Sequence, residues 1–151
     1  MLKLSLGLSR HRVLVTRCVE QDVLEKLDRF FEVEHYQQTL PLTREELLAR
    51  LKEKAGVLAT GNDTIDAEMI AQLRSLKAVC TMAVSCENLD MHALTQAGIM
   101  VTNAPADGSG SDTAHAKALR AADNLIAAFG FGRIGGKPAN LLNPELLCDC
   151  C

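Results

Sequence analysis

Aromatic side chains are scarce in this chain: its 151 residues hold no tryptophan, one tyrosine and four phenylalanines. Any core must therefore be aliphatic, built from Leu, Val, Ile, Ala and Met, and the 48% hydrophobic content can supply one. A basic excess is also missing. Lys and Arg number 16 against 19 acidic residues, a formal charge of −3, which excludes nucleic-acid binding by bulk electrostatics. No apolar run approaches the roughly 20 residues of a membrane helix. The start is too short and broken for a secretory signal, so residues 1–11 read as a leader or flexible arm and the cytoplasm is the default location. The six cysteines are not spaced as a disulfide scaffold. Cys148, Cys150 and Cys151 are soft-metal ligand types, but three thiols at a chain end rarely close a site. Residues 148–151 read as an exposed tail prone to intermolecular oxidation, and no metal is expected.

What the chain does have is alternation. Val13–Thr16 is a short apolar run, and Val19, Val23, Leu24, Leu27 and Phe30 then recur at helical spacing. Residues 31–35 alternate with period two. Thr43 and Glu46 form a capping box, which satisfies two orphan amide donors at a helix start. Gly56–Thr60, Ala78–Met82 and Met100–Val101 read as further strands. Between them, Ile65 to Leu73 and Leu89 to Ala97 read as helices, the second stopped by Gly98. The clearest stripe runs from Thr113 to about Phe129, through Ala118, Leu119, Ala122, Leu125, Ile126 and Phe129. Five strands alternating with five helices predict an α/β fold with a parallel sheet. The expected form is flavodoxin-like, three layers, strand order 2-1-3-4-5. Ligands in such sheets gather beyond the carboxyl ends of the strands, at the switch between strands one and three. Residues 17–19, 60–63 and 83–87 are then the candidate loops.

Gly130, Gly132 and Gly135 match a dinucleotide fingerprint by spacing. A working fingerprint follows a strand and opens a helix, so that pyrophosphate meets free amides. These glycines follow a helix instead, prolines come next, and no acidic residue lies in place for a ribose. A chain-reversing loop is the expectation. The segment Met82–Asp90 leaves a strand and enters a helix, so the amides of Ser85, Cys86 and Glu87 are expected at a helix N-terminus that favours an anion. Such a terminus would also lower the pKa of Cys86, but no histidine lies close enough in sequence to act as its base. His11, His35 and His115 read as edge or solvated histidines.

Residues 12–17, 76–84, 87–90 and 98–105, followed by 118–126 and 138–144, resemble the D-2-hydroxyacid dehydrogenases, in the branch of glyoxylate/hydroxypyruvate or 2-ketogluconate reductases. Asn103-Ala104-Pro105 and Ala121-Ala122-Asp123-Asn124-Leu125 carry the most specific part of the likeness. The resemblance implies a discontinuous substrate domain, 12–106 and 113–147, from which a coenzyme domain is missing. Asp107–Asp112, a Gly/Ser run of flexible-coil composition, then reads as a linker in its place. The family's catalytic Arg, Glu and His and its Rossmann motif have no counterpart here. By position, Val84, Ser85 and Cys86 match the loop whose amides hold the substrate carboxylate, although Ser85 stands where Gly is usual. Thr60, Gly61 and Asn62 match a second segment lining the cleft.

The resemblance implies NAD(P)H-dependent reduction of a 2-oxo acid such as glyoxylate or hydroxypyruvate for the whole enzyme. For this chain it implies no cofactor, no activity alone, weak binding of small 2-oxo or 2-hydroxy acids, and a monomer when reduced. Two rivals need other residues. A self-sufficient flavodoxin-like binder of a nucleotide or small ligand needs a phosphate-cradling loop after strand one, and Thr16–Glu20 lacks the glycine and hydroxyl run. A response-regulator-like module needs acidic residues after strand one and a reactive aspartate after strand three, for which only Asp63 is a candidate.

Overall fold

Five short strands form one parallel sheet in the computed structural model, which describes residues 10–105, 113–130 and 138–147. The strands are β1 (Arg12–Val15), β2 (Glu32–His35), β3 (Gly56–Ala59), β4 (Ala78–Thr81) and β5 (Met100–Thr102), and their order is β2-β1-β3-β4-β5. The expected fold class and order are both present. The helices are α1 (Gln21–Asp28), α2 (Arg44–Leu51), α3 (Ala67–Ile70), α4 (Met91–Gln96) and α5 (Ala114–Ala128), with a 3-10 turn at Pro144–Leu147. β3 and β4 are buried throughout, which is why they read as continuous apolar runs rather than alternating ones.

Local chemistry starts the helices. Thr43 and Glu46 form the capping box at α2, Asp66 and Asp90 cap α3 and α4, and Thr113 caps α5 through the Ala116 amide. α3 is a single turn, shorter than its apolar spacing suggests. Ile65, ahead of its cap, instead pairs in a β-bridge with Leu89, so tertiary pairing took residues that periodicity assigns to a helix. α4 also starts later than expected, at Met91 rather than at Leu89.

Two aliphatic clusters sandwich the sheet. Leu14, Val57 and Val79 face Leu47, Leu51, Met69 and Leu94 on the α2–α3–α4 side. Val13, Val15, Leu58 and Cys80 face Leu27, Ala122 and Leu125 on the α1–α5 side. α5 comes close to β3 because Gly56 has no side chain: a Cβ there would sit 2.8 Å from Leu125 Cδ1. Asn124 is also buried on this helix. Its Nδ2 donates to the Asn103 carbonyl and to Asn140 Oδ1. Asn143 likewise accepts from the Val101 amide and donates to the Ile99 carbonyl. Together they dock the C-terminal segment along β5, where Leu141 bridges Thr102.

Residues 1–9 of the leader, the whole Gly/Ser run 107–112, the glycines after Gly130 and the cysteine tail lie outside the described residues. Gly130 itself has a φ of 83° and follows α5. It therefore sits at the carbonyl end of a helix, the wrong pole for pyrophosphate.

Candidate functional site

The exits of β1, β3 and β4 meet at the carboxyl edge of the sheet, beside the first turn of α5. Between them lies a cleft of about 470 Å³ lined by residues 17–20, Thr60, Gly61, Met82, Ala83, Ala114, His115, Lys117 and Ala118. This is the switch point between β1 and β3. The contribution of α5 is not legible in the sequence, where its stripe marks only a core cover.

The β3 exit is closed on itself. Asp63, 2% exposed, accepts through Oδ2 from the Thr16 hydroxyl at 2.6 Å, the Thr60 amide at 2.8 Å and the Thr60 hydroxyl at 3.0 Å. Asn88 Nδ2 donates to the carbonyls of Thr60 and Asp63. A carboxylate so enclosed has no room for a phosphoryl donor, so the response-regulator reading fails here. Thr60 and Gly61 line the cleft. Asn62 does not; it is exposed, and its amide donates to Thr60 Oγ1.

The β4 exit is open. The Ala83 carbonyl accepts from the Ala104 amide at 3.0 Å, and the Val84 carbonyl accepts from Asn103 Nδ2 at 2.8 Å. Both anchors lie just beyond β5. In a planar trans peptide the N–H points opposite to its own carbonyl. The Val84 and Ser85 amides therefore face away from these β5-side anchors. Neither has a hydrogen-bond partner among the described residues. An ideal Cβ on Gly61 would lie 3.7 Å from Ala83 Cβ, so the two exits are neighbours. Val84, Ser85 and Cys86 stand beside the cleft lining rather than within it.

The expected helix terminus is not at these amides. α4 opens at Met91, and the Glu87 amide donates to Ser85 Oγ in a local turn. Fixed peptide orientation, not a helix dipole, aims the donors. Cys86 packs against the α2–α3–α4 core, and burial pushes its thiol pKa up rather than down. The helix N-terminus that would activate this thiol is absent at this position, since α4 opens at Met91. Cys80 is more extreme, its thiol pushed up to about 12 by burial.

His35 Nε2 lies 3.1 Å from the Arg17 carbonyl and 3.3 Å from the Val19 amide, holding the β1 exit. That exit carries no glycine and ends on Glu20, the residue preceding α1. It does not fit a dinucleotide pyrophosphate, which requires close backbone approach and no opposing carboxylate. His115 is half-buried, with Nδ1 3.4 Å from Glu20 and Nε2 3.0 Å from Asp22. The three ligand atoms lie within 4.8 Å of one another, yet the carboxylates also suit the N-terminus of α1 without an ion.

A family model described as D-isomer specific 2-hydroxyacid dehydrogenase, catalytic domain, matches residues 13–129. Glyoxylate reductase of Aeropyrum pernix is 36% identical over 98 residues, covering 65% of this chain and 29% of that protein. Glyoxylate reductase of Thermococcus kodakarensis is 31% identical over 128 residues, covering 83% and 38%. Among solved structures, the TT0316 protein from Thermus thermophilus superposes with a TM-score of 0.58 at 36% identity, covering 62% of this chain and 30% of that one. The chain thus spans well under half the length of these relatives. Matched over most of its length and folded as the solved structures are, the chain belongs to the D-isomer specific 2-hydroxyacid dehydrogenase family, in the region of its catalytic domain.

Proposed function

We propose that this chain is the substrate-binding half of a D-2-hydroxyacid dehydrogenase, holding the carboxylate of a small 2-oxo acid such as glyoxylate or hydroxypyruvate. The observation that carries the reading is the pair of Val84 and Ser85 amides, whose peptide planes are pinned through their carbonyls from the β5 side and which have no internal partner among the described residues. Two parallel N–H donors match the two oxygens of a carboxylate, and hydrogen bonds to charged groups are the stronger kind.

The parent reaction needs NAD(P)H as hydride donor, and a general acid beside the carbonyl. Neither a dinucleotide cradle nor such an acid stands among the described residues at the Val84–Ser85 grip. The coenzyme domain of the family supplies both, and Asp107–Asp112 occupies its place in the sequence. The chain alone therefore binds without turning over. In this reading it is monomeric in reductant, forms covalent dimers through its tail thiols on oxidation, and belongs in a reducing compartment such as the cytoplasm.

NMR titration tests the binding half of this reading, and an NADH or NADPH oxidation assay tests the catalytic half. Glyoxylate should shift the amides of residues 83–88 with a millimolar midpoint, and no nucleotide should be consumed above background. Turnover by the chain alone, or glyoxylate shifts elsewhere only, would overturn it.

A further inference from the structure

The cleft beside the carboxylate grip is larger than its smallest substrate requires and carries its own charge. Glyoxylate fills little of a space of about 470 Å³. The floor is apolar, from Val19, Met82, Ala83 and Ala118, and two cations, Arg17 and Lys117, stand in its lining.

Five cations among the described residues are neutralised within the fold. Arg12, Lys26, Arg44, Arg50 and Lys54 are each tied to a carboxylate. Arg17 and Lys117 make no ion pair or side-chain hydrogen bond among the described residues, although both line the cleft. The carboxylate in the lining, Glu20, makes no ion pair with either cation; its Oε1 lies 3.4 Å from His115 Nδ1. The first turn of α5 enters the same space at Ala114 and His115, and the positive pole of this 15-residue helix adds to the field there.

We propose that Arg17 and Lys117 form a second anion subsite, so that the chain prefers 2-oxo acids bearing a further acidic group, carboxylate or phosphate, over monoanions. The inference rests on the carboxylate grip of the preceding section and names the substrate class that grip serves. With one acid group at the Val84 and Ser85 amides, the apolar floor carries the connecting carbons and the second group meets the two cations. The division of labour is physical. Directed amides fix one group by geometry, while two flexible cationic side chains accept a charge of either shape.

The test is an NMR titration of the full chain at low salt with 2-oxobutyrate as monoanion, 2-oxoglutarate as dicarboxylate and 3-phosphohydroxypyruvate as phosphorylated acid. The dianions should bind about threefold to tenfold tighter, the range two partly exposed ion pairs supply. Their shifts should extend from residues 83–88 to residues 17, 18 and 115–118. In the Arg17→Gln/Lys117→Gln double variant, checked for an unchanged melting midpoint, the ratio of dianion to monoanion affinity should fall to near one. Salt at about 0.5 M should lower the same ratio in the unaltered chain by screening. Preference for only one dianion identifies the second group as carboxylate or as phosphate. Equal affinities for all three acids, with shifts at 83–88, would overturn the subsite and leave the carboxylate grip standing. Dianion shifts confined to residues 17 and 115–118, with none at 83–88 from any acid, would keep the subsite and sink the grip. A dianion preference that survives the double variant would overturn the assignment to Arg17 and Lys117.

Discussion

The β3 and β4 exits lie side by side at one edge of the sheet and treat their backbone groups in opposite ways. At β3, Asp63 gathers three donors on one oxygen and Asn88 takes the two carbonyls. At β4, the carbonyls of Ala83 and Val84 are held from β5 while the Val84 and Ser85 amides stay unpaired among the described residues. An unpaired buried donor is costly, but one at an open edge is solvated at little cost and remains free for a ligand. Self-satisfaction makes the first loop a wall. Incomplete satisfaction makes the second a candidate grip.

The largest break of this comparison comes through α5. Asn124 holds Asn103, and Asn103 holds the Val84 carbonyl, so the β4 exit depends on α5 being docked. Leu125 is fully buried on that helix. Leu125→Ala should cost about 2–5 kcal/mol in a urea melt, with amide exchange quickening at 103 and 84 more than at 60–63. A loss below about 0.5 kcal/mol would mean α5 does not carry the β4 exit.

Asp63→Ala breaks the other exit. It leaves the Thr16 and Thr60 hydroxyls and the Thr60 amide without their shared acceptor, for a loss of about 1–3 kcal/mol. Asp63→Asn should lose less, because an amide oxygen still accepts. Equal stability of all three proteins would show that the β3 exit is not held by this carboxylate.

Ser85→Pro removes one of the two free amides. That amide has no internal partner among the described residues, and the one bond lost is the exposed turn contact from the Glu87 amide to Ser85 Oγ, so the melting midpoint should move little. Glyoxylate binding should weaken about tenfold, the value of one hydrogen bond to a charged group. A large stability loss with unchanged binding would reverse the roles given to the two exits.

The smallest effect is a pH dependence on the β3 side. Asp66 caps α3, and the Arg44 guanidinium, aided by the Met69 amide, holds its carboxyl down to about 2. A folded pKa below the unfolded value adds stability that is fully present above about pH 4 and is lost as pH falls through 2. Denaturant midpoints between pH 6 and pH 2 should therefore fall less steeply in Asp66→Asn than in the unaltered chain. Parallel curves would show that the pair is broken in solution.

Sequence alone determined the elements that rest on near neighbours. The capping box at Thr43 and Glu46, the apolar strand runs, the alternation at residues 31–35 and the α5 stripe all depend on residues a few positions apart, and parallel order follows from strands alternating with helices. Only tertiary structure decided where those elements stop and what their loops expose. Ile65 leaves a helical pattern to pair with Leu89. Asp63 becomes a buried knot through Thr16, 47 positions away. α5 brings His115 and Lys117 to a cleft that the sequence pattern builds from three loops. The Val84 and Ser85 amides stand free among the described residues, but not for the local reason that spacing suggests. A helix terminus can be read from spacing, whereas the direction of a peptide plane is set by partners on another strand, and no local pattern encodes those partners.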